Sequence, residues 1–364
     1  MGKRVMILAG GTGGHVYPAL AVAQRLLAQG HEVIWMGTRR GLEARVVPAA
    51  AIAIEWLSVS GVRGKGWRSK LHAPFMLLKA LTQAASILRR VRPDVVLGMG
   101  GFVSGPGGLM ARVLGIPLIL HEQNRVPGTT NRLLARWANG VLEAFPGSFP
   151  SATGARCTGN PLRDEIAALA LRPPREPADE PLKILIVGGS LGAQVLNRTL
   201  PPALAVIGQP CLIRHQTGEA MRKETEALYA EAGLEAKVDA FVEDMAAAYA
   251  WADLAVCRSG AMTVSELAAA GLPAILVPYP HAIDDHQTAN AKYLADAGAA
   301  VVMAQSELTS QTLARTIKNV LTPPSRLAEM ADRARSKACP DATETVAAIC
   351  IDNARTPRLQ KRIP

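Results

Sequence analysis

The sequence predicts an α/β protein of two Rossmann-like domains, each a parallel sheet with helices on both faces, the pair facing one another across a cleft. Three observations carry that expectation. Apolar runs of strand length alternate with amphipathic stretches of helix length along most of the chain. Two glycine turns, Gly10-Gly-Thr-Gly-Gly14 and Gly188-Gly-Ser-Leu-Gly192, each follow an apolar run, and the second begins 178 residues after the first. Between them lies Arg172-Pro-Pro-Arg-Glu-Pro-Ala-Asp-Glu-Pro181, a charged, proline-rich stretch unsuited to helix or core. A length of 364 residues and a hydrophobic content of 49% suit two cores better than one.

In order, the first half reads as strand 4–9, helix 17–29, strand 32–37, strand 53–58, helix 71–91, strand 94–98, helix 105–114, strand 117–121, helix 128–137 and strand 140–145. Segment 160–181 reads as the linker. The second half then repeats the alternation: strand 183–188, helix 192–206, strand 211–216, helix 219–231, strand 236–240, helix 244–250, strand 253–257, helix 262–270, strand 273–277 and helix 285–297. Three more helical patterns close the chain, and the basic tail 355–364 reads as disordered. Ligands of such sheets bind beyond the carboxyl ends of the strands. His15, Gly100-Gly101, Ser104-Gly105 and His121-Glu-Gln-Asn124 all fall there.

Helix 71–91 carries more apolar surface than one core needs. Leu77, Leu81, Ala84, Leu88 and Val91 step by four and three and make a core-facing stripe. Leu71, Phe75 and Leu78 make a second one, preceded by Trp67 and fringed by Arg68, Lys70, Lys79, Arg89 and Arg90. Two readings stand for that stripe: packing under a neighbouring loop, or interfacial contact with anionic lipid.

Composition narrows the function. Forty Lys and Arg against thirty Asp and Glu give a net charge of +10, which favours an anionic partner. Aromatics are only 4% and are not interleaved with the basic residues, which argues against nucleic acid. Five cysteines show neither disulfide nor zinc spacing. Lys3 and Arg4 precede a run that resembles a first strand more than a signal peptide, and no segment has the ~18 apolar residues a membrane span needs.

The glycine turns suit phosphate or carbonyl oxygen, because glycine lets the backbone approach closely and a helix start presents unpaired N–H groups. Gly11-Thr-Gly13-Gly-His-Val16 misses the last glycine of a dinucleotide fingerprint, though Glu32 stands near the expected distance for its acid. Neither turn has the Gly-Lys-Ser/Thr of a P-loop. In the second half, Cys257-Arg-Ser-Gly-Ala-Met-Thr-Val-Ser-Glu266 reads as strand, turn and helix, with Glu266 in the first turn, where it could accept bonds from ribose hydroxyls or serve as an ordinary helix-start acid. Gln287 and Asn290, three apart, share a face that could read sugar hydroxyls or simply cap and cover the helix.

Seven stretches together carry a resemblance: Gly10-Gly-Thr-Gly-Gly-His15-Val-x-Pro18, Gly100-Gly-Phe-x-Ser104-Gly-Pro106, His121-Glu-Gln-Asn124, Gly159-Asn-Pro161-Leu-Arg163, Gly188-Gly-Ser-x-Gly192-Ala, Cys257-Arg-Ser-Gly-Ala261-x-Thr-Val-Ser-Glu266 and Asp285-His-Gln287-x-x-Asn290-Ala. In this order they resemble the MurG family, the undecaprenyldiphospho-muramoylpentapeptide β-N-acetylglucosaminyltransferases of bacterial cell-wall synthesis. The resemblance implies the glycosyltransferase B fold. Residues 1–160 would form an acceptor- and membrane-binding domain, with a C-terminal helix at about 341–355 packing back on it, and 161–340 would form the UDP-N-acetylglucosamine domain. Carried over by motif, donor contacts are Thr12, Gly13, Gly14, Asn124, Arg163, Ser190, Val242, Ala261, Met262, Thr263, Val264, Ser265, Glu266 and Gln287. Val242 and Met262 stand where isoleucine and leucine are frequent, which keeps an apolar contact. The acceptor pyrophosphate would meet Gly13, Gly14, Gly101, Ser104 and Gly105, and the membrane Trp67, Leu71, Phe75, Leu78 and Lys79. The implied partners are UDP-GlcNAc, a polyprenyl-pyrophosphate-linked muramoyl-pentapeptide, anionic lipid of the inner membrane's cytoplasmic face and other cell-wall synthesis proteins.

The expected reaction is inverting transfer of N-acetylglucosamine to the muramoyl C4 hydroxyl. His15 is the expected base, since an imidazole ordinarily titrates near pH 6.5; its other role would be to hydrogen-bond donor sugar or backbone. His121 and Glu122 are the alternative bases. No acidic pair has the Asp-x-Asp pattern of a metal-dependent transferase, so no metal or other cofactor is expected. The departing diphosphate would meet backbone N–H groups at Ser190 to Gly192, the following helix start and Arg163. A UDP-GlcNAc 2-epimerase of the same fold and a non-catalytic nucleotide-binding scaffold on the membrane are the rival functions.

Overall fold

The computed structural model describes residues 2–58, 67–173, 181–189 and 193–355. The chain divides into two compact units, Met1–Arg163 with Asp341–Pro364, and Asp164–Pro340.

The first unit contains β1 (Arg4–Ala9), α1 (Gly13–Ala28), β2 (Glu32–Gly37), α2 (Glu43–Ala49), β3 (Ala53–Trp56), α3 (Trp67–Val91), β4 (Val95–Gly100), α4 (Ser104–Val113), β5 (Leu118–Glu122), α5 (Thr129–Leu134), β6 (Gly140–Glu143) and β7 (Arg156–Cys157). Its sheet is parallel throughout, in the order β3-β2-β1-β4-β5-β6-β7. Strands covered on both faces must be apolar at every position, and Val5 to Ala9 are fully buried. The two-residue period then divides them. Val5 and Ile7 meet Val16, Ala19 and Leu26 of α1 together with Val346 and Cys350 of the C-terminal helix, Ala342–Asp352, while Met6 and Leu8 meet Ala84, Ile87 and Leu88 of α3 and Ala111 of α4. Each large aliphatic side chain so enclosed contributes roughly 1.5–3 kcal/mol. The C-terminal helix is tied down further by Thr343 Oγ1, which donates to the Leu162 carbonyl at 2.8 Å.

The second unit contains α6 (Asp164–Ala167), β8 (Leu182–Val187), α7 (Gln194–Ile207), β9 (Cys211–Gln216), α8 (Arg222–Glu231), β10 (Ala236–Asp239), α9 (Met245–Trp251), β11 (Leu254–Cys257), α10 (Ala261–Ala270), β12 (Ala274–Leu276), α11 (His286–Ala295), β13 (Ala300–Val302), α12 (Ser310–Val320) and α13 (Ser325–Arg335). Its parallel sheet runs β10-β9-β8-β11-β12-β13. In each sheet the strand order reverses beside the first strand, at β1/β4 and at β8/β11. The crevice beyond the carboxyl ends of such a pair is where open α/β sheets take ligands.

The structure corrects several expectations. Leu77, expected in the core-facing stripe, is 51% exposed, as are Phe75 at 75% and Leu78 at 61%. A helix of 25 residues is about 37 Å long and a six-residue strand about 20 Å, so the first half of α3 overhangs the sheet that would cover it. Segment 160–181 is only partly linker: α6 and the 3-10 turn Ala168–Leu171 bury Ile166 and Leu169 and contact α10. The helix α2 was not anticipated, because seven residues with a proline inside show too little periodicity. The stretch 174–180 and the tail from 356 lie outside the described residues.

Candidate functional site

Each glycine turn of the first unit leaves the end of a strand at the β1/β4 reversal. Ala9 pairs with Gly100 after a register shift at Leu8/Ala9. Gly11, Gly100 and Gly101 have φ of 96°, 102° and 82°, a backbone open mainly to glycine. A Cβ on Gly101 would run into the Gly10 carbonyl oxygen, and one on Gly100 would stand 2.7 Å from His15 Nδ1. The two turns therefore touch, and His15 lies against the second, because neither carries a side chain there. The α1 helix starts at Gly13, so the N–H groups of Gly13 and Gly14 precede the first helical bond and point off its end. Thr12, the preceding residue, is exposed. Beneath the turn, the fully buried Glu43 carboxylate accepts the N–H of Gly11 at 3.0 Å and of Thr38 at 2.9 Å.

Ser104 departs from expectation. Its hydroxyl is fully buried, accepts the Gly100 N–H at 3.0 Å and faces the carbonyls of Gly100 and Leu8 at 2.8 and 3.0 Å. It locks the second turn and has no side chain to offer a pyrophosphate. Gly101 and Gly105 are half-buried.

From the end of β5 a chain of hydrogen bonds runs to His15. His15 Nδ1 lies 2.8 Å from Gln123 Oε1, Gln123 Nε2 lies 3.1 Å from both His121 Nδ1 and the His121 carbonyl, and His121 Nε2 lies 2.9 Å from the Gly159 carbonyl. Asn160 Nδ2 donates to the Gln123 carbonyl at 3.1 Å. Three of the sequence stretches thus form one network. His121 is fully enclosed with both ring nitrogens engaged, and burial pushes its imidazole down to about 4. Glu122, 1% exposed, accepts the Asn124 N–H and Nδ2 on one oxygen and the Gly128 N–H and Asn131 Nδ2 on the other. These two expected bases are braces that fix the loop after β5. His15 is half-buried, and no described residue meets its Nε2.

In the second unit, Gly260 caps α10, which begins at Ala261 and places Glu266 in the second turn, not the first. One of its carboxylate oxygens accepts the Tyr249 hydroxyl at 2.9 Å. Met262, Thr263, Ser265 and Glu266 are half-buried, whereas Val264 is fully buried, Val242 is 4% exposed and Ala261 6%. Val264 consequently belongs to the core face of α10. The turn before α10 is tied to α11: Ser259 Oγ donates to the Gln287 carbonyl at 2.8 Å, and Asn290 Nδ2 to the Ser259 carbonyl at 3.3 Å. Asn290 is fully buried and cannot read a hydroxyl, while Gln287, half-buried, accepts the Tyr279 N–H through Oε1 at 2.9 Å. Arg258 braces the end of β12, donating to the Val277 and Pro278 carbonyls and to Gln305 Oε1. Ser190 and Gly192, and the side chains of Trp67 and Leu71, lie outside the described residues; Asn124 and Arg163 are half-buried.

The sequence reading assigned no role to Gln123, Asn131, Tyr249, Arg258 or Glu43. Gln123 and Arg258 carried a signal, each lying inside a stretch the sequence reading had singled out.

Residues 5–143 match the glycosyltransferase family 28 N-terminal domain and residues 183–346 the glycosyltransferase family 28 C-terminal domain. A protein of Methylococcus capsulatus named UDP-N-acetylglucosamine–N-acetylmuramyl-(pentapeptide) pyrophosphoryl-undecaprenol N-acetylglucosamine transferase is 64% identical over 97% of this chain and 99% of its own. A protein of Alkalilimnicola ehrlichii with the same name is 55% identical over 96% and 99%. Among solved structures, MurG of Acinetobacter baumannii is similar with a TM-score of 0.83 and 46% identity over 96% of this chain and 99% of that one. The UDP-GlcNAc 2-epimerase of Neisseria meningitidis, at TM-score 0.67 and 13% identity over 96% and 100%, shares the fold alone.

Proposed function

We propose a catalytic division of labour for this chain, which belongs to glycosyltransferase family 28 and within it to the MurG transferases. It is a UDP-GlcNAc-dependent glycosyltransferase that moves N-acetylglucosamine onto the undecaprenyl-pyrophosphoryl-MurNAc-pentapeptide acceptor in cell-wall synthesis. The 2-epimerase reading rests on fold alone and is not favoured.

The muramoyl C4 hydroxyl attacks the anomeric carbon from the face opposite UDP. The new C–O bond forms as the bond to the β-phosphate oxygen breaks, giving a β-linkage with inversion. The hydroxyl proton passes to His15 Nε2, and the electron pair leaves with UDP. One observation carries the choice of base. His121 and Glu122 are enclosed and fully engaged, while His15 keeps Nε2 without a described partner at the β1/β4 reversal. Replacing His15 by Ala should lower kcat by a hundredfold or more, in line with general-base catalysis worth about 10²–10⁴, with UDP binding retained. A rate within a few-fold of normal would remove His15 from that role.

Gly13, Gly14, Gly101 and Gly105 supply backbone to the acceptor pyrophosphate, and Thr12 and Asn124 are further donor contacts. In the second unit Glu266, held by Tyr249, accepts from the ribose hydroxyls, with Ser265, Thr263, Met262 and Gln287 around the nucleotide. Backbone N–H groups at Ser190 to Gly192, the start of α7 and Arg163 take the charge of departing UDP, so the reaction needs no divalent ion. Activity should persist in excess chelator; complete loss there, restored by Mg²⁺, would contradict this. Among the described residues no helix is long and apolar enough to cross a membrane. The overhanging face of α3, with Phe75, Leu78 and Lys79, seats the protein peripherally on anionic lipid at the cytoplasmic face of the inner membrane, beside other cell-wall synthesis proteins.

A further inference from the structure

We propose that Gln123 is a positioning residue that selects the ring tautomer of His15, holding the proton on Nδ1 and leaving the Nε2 lone pair outward. The proposal rests on the reading of His15 as base and goes beyond it. The polarity of the whole chain follows from two backbone carbonyls, which can only accept. The Gly159 carbonyl lies 2.9 Å from His121 Nε2, so that nitrogen carries the hydrogen. His121 is buried and neutral, so its Nδ1 is an acceptor. The His121 carbonyl, 3.1 Å from the Gln123 amide, requires the nitrogen end of that amide there, and the same Nε2 donates its second hydrogen to His121 Nδ1. The amide oxygen is thereby turned toward His15. An amide oxygen has no hydrogen to give, so His15 Nδ1 must donate across the 2.8 Å contact. A neutral imidazole with a proton on Nδ1 has its lone pair on Nε2.

Gln123 is itself fully buried, and Asn160 Nδ2 holds its carbonyl at 3.1 Å. The amide cannot turn over without facing oxygen to oxygen at His121, a clash in an enclosed site where an unpaired polar group costs about 1–3 kcal/mol. Three side chains and two carbonyls thus fix a proton's position from the Gly159 loop to the start of α1. A base in the wrong tautomer presents an N–H where it should present a lone pair, and it cannot accept the hydroxyl proton.

Nitrogen-15 NMR of histidine-labelled protein at alkaline pH tests this directly. The His15 ring signals are identified by their loss in His15→Gln. In the unmodified protein Nδ1 should be protonated and Nε2 not; the reverse overturns the proposal without recourse to any variant. Gln123→Met, close in volume and without an acceptor, should bring up the Nε2–H form and lower kcat at least tenfold, with KM for UDP-GlcNAc unchanged. Gln123→Leu serves if the Met variant does not fold. A variant that keeps the Nδ1–H form and a kcat within twofold of normal also overturns it. Failure of the base assignment shows separately, as a normal rate in His15→Ala, whatever the nitrogen spectra report.

Discussion

Gly100 sets how closely His15 can lie against the end of β4. With φ at 102° and its missing Cβ 2.7 Å from where Nδ1 sits, an alanine there both strains the backbone, by roughly 1–2 kcal/mol, and pushes the imidazole away from Gln123. Gly100→Ala should therefore lower kcat tenfold or more while UDP binding stays unchanged. Full activity in that variant would show that the ring's seat does not matter. The same scale explains the fate of the polar residues at and beyond the end of β5. His121, Glu122 and Asn131 are spent on one another and on backbone, and a list of reactive residue types does not distinguish a brace from a base. Burial pushes the thiols of Cys257 and Cys350 up to about 12, so they remain protonated and inert at neutral pH.

Among the elements, α3 has a length that exceeds its support. Ala80, Ala84, Ile87 and Leu88 are covered by the sheet and α4, whereas Phe75, Leu77 and Leu78 present apolar surface beyond it, with Lys79 alongside and exposed. Phe75→Ser with Leu78→Ser removes two exposed apolar side chains without touching the core, so folding and UDP binding should be unaffected. Association with vesicles containing anionic phospholipid should fall at least tenfold, read by co-sedimentation. Unchanged sedimentation would assign the face to something other than lipid. Periodicity gave Leu77 the angle of the core-facing stripe, yet it falls in the overhanging part of the helix and is exposed. A helical wheel records angle and is blind to where the neighbouring sheet stops.

Across the whole molecule, each unit carries a buried neutral histidine on a strand of its sheet. His121 in the first is pushed down to about 4 by burial, and His215 in the second to about 3, where it bonds Tyr229 and Asn197. Both take a proton near pH 6.5 in the unfolded chain. Their contribution is fully present above pH 6.5 and is lost as pH falls through the folded values. For His121 the gap corresponds to about 3 kcal/mol. Urea unfolding midpoints should drop between pH 6.5 and 4, and His215→Gln should flatten that dependence; a midpoint constant over the range would contradict the burial. What the sequence by itself determined is the pattern: two parallel-sheet units and glycine turns at strand ends, readable because hydrophobic period and glycine spacing are local, and the family, through its resemblance in seven stretches that occur in order. What only the tertiary structure decided is which polar residues face outward. Ser104, Asn290 and Glu122 became internal, and Gln123 became the partner of His15, because hydrogen-bond partners 4 to more than 100 residues apart in sequence meet only once the strands are in register.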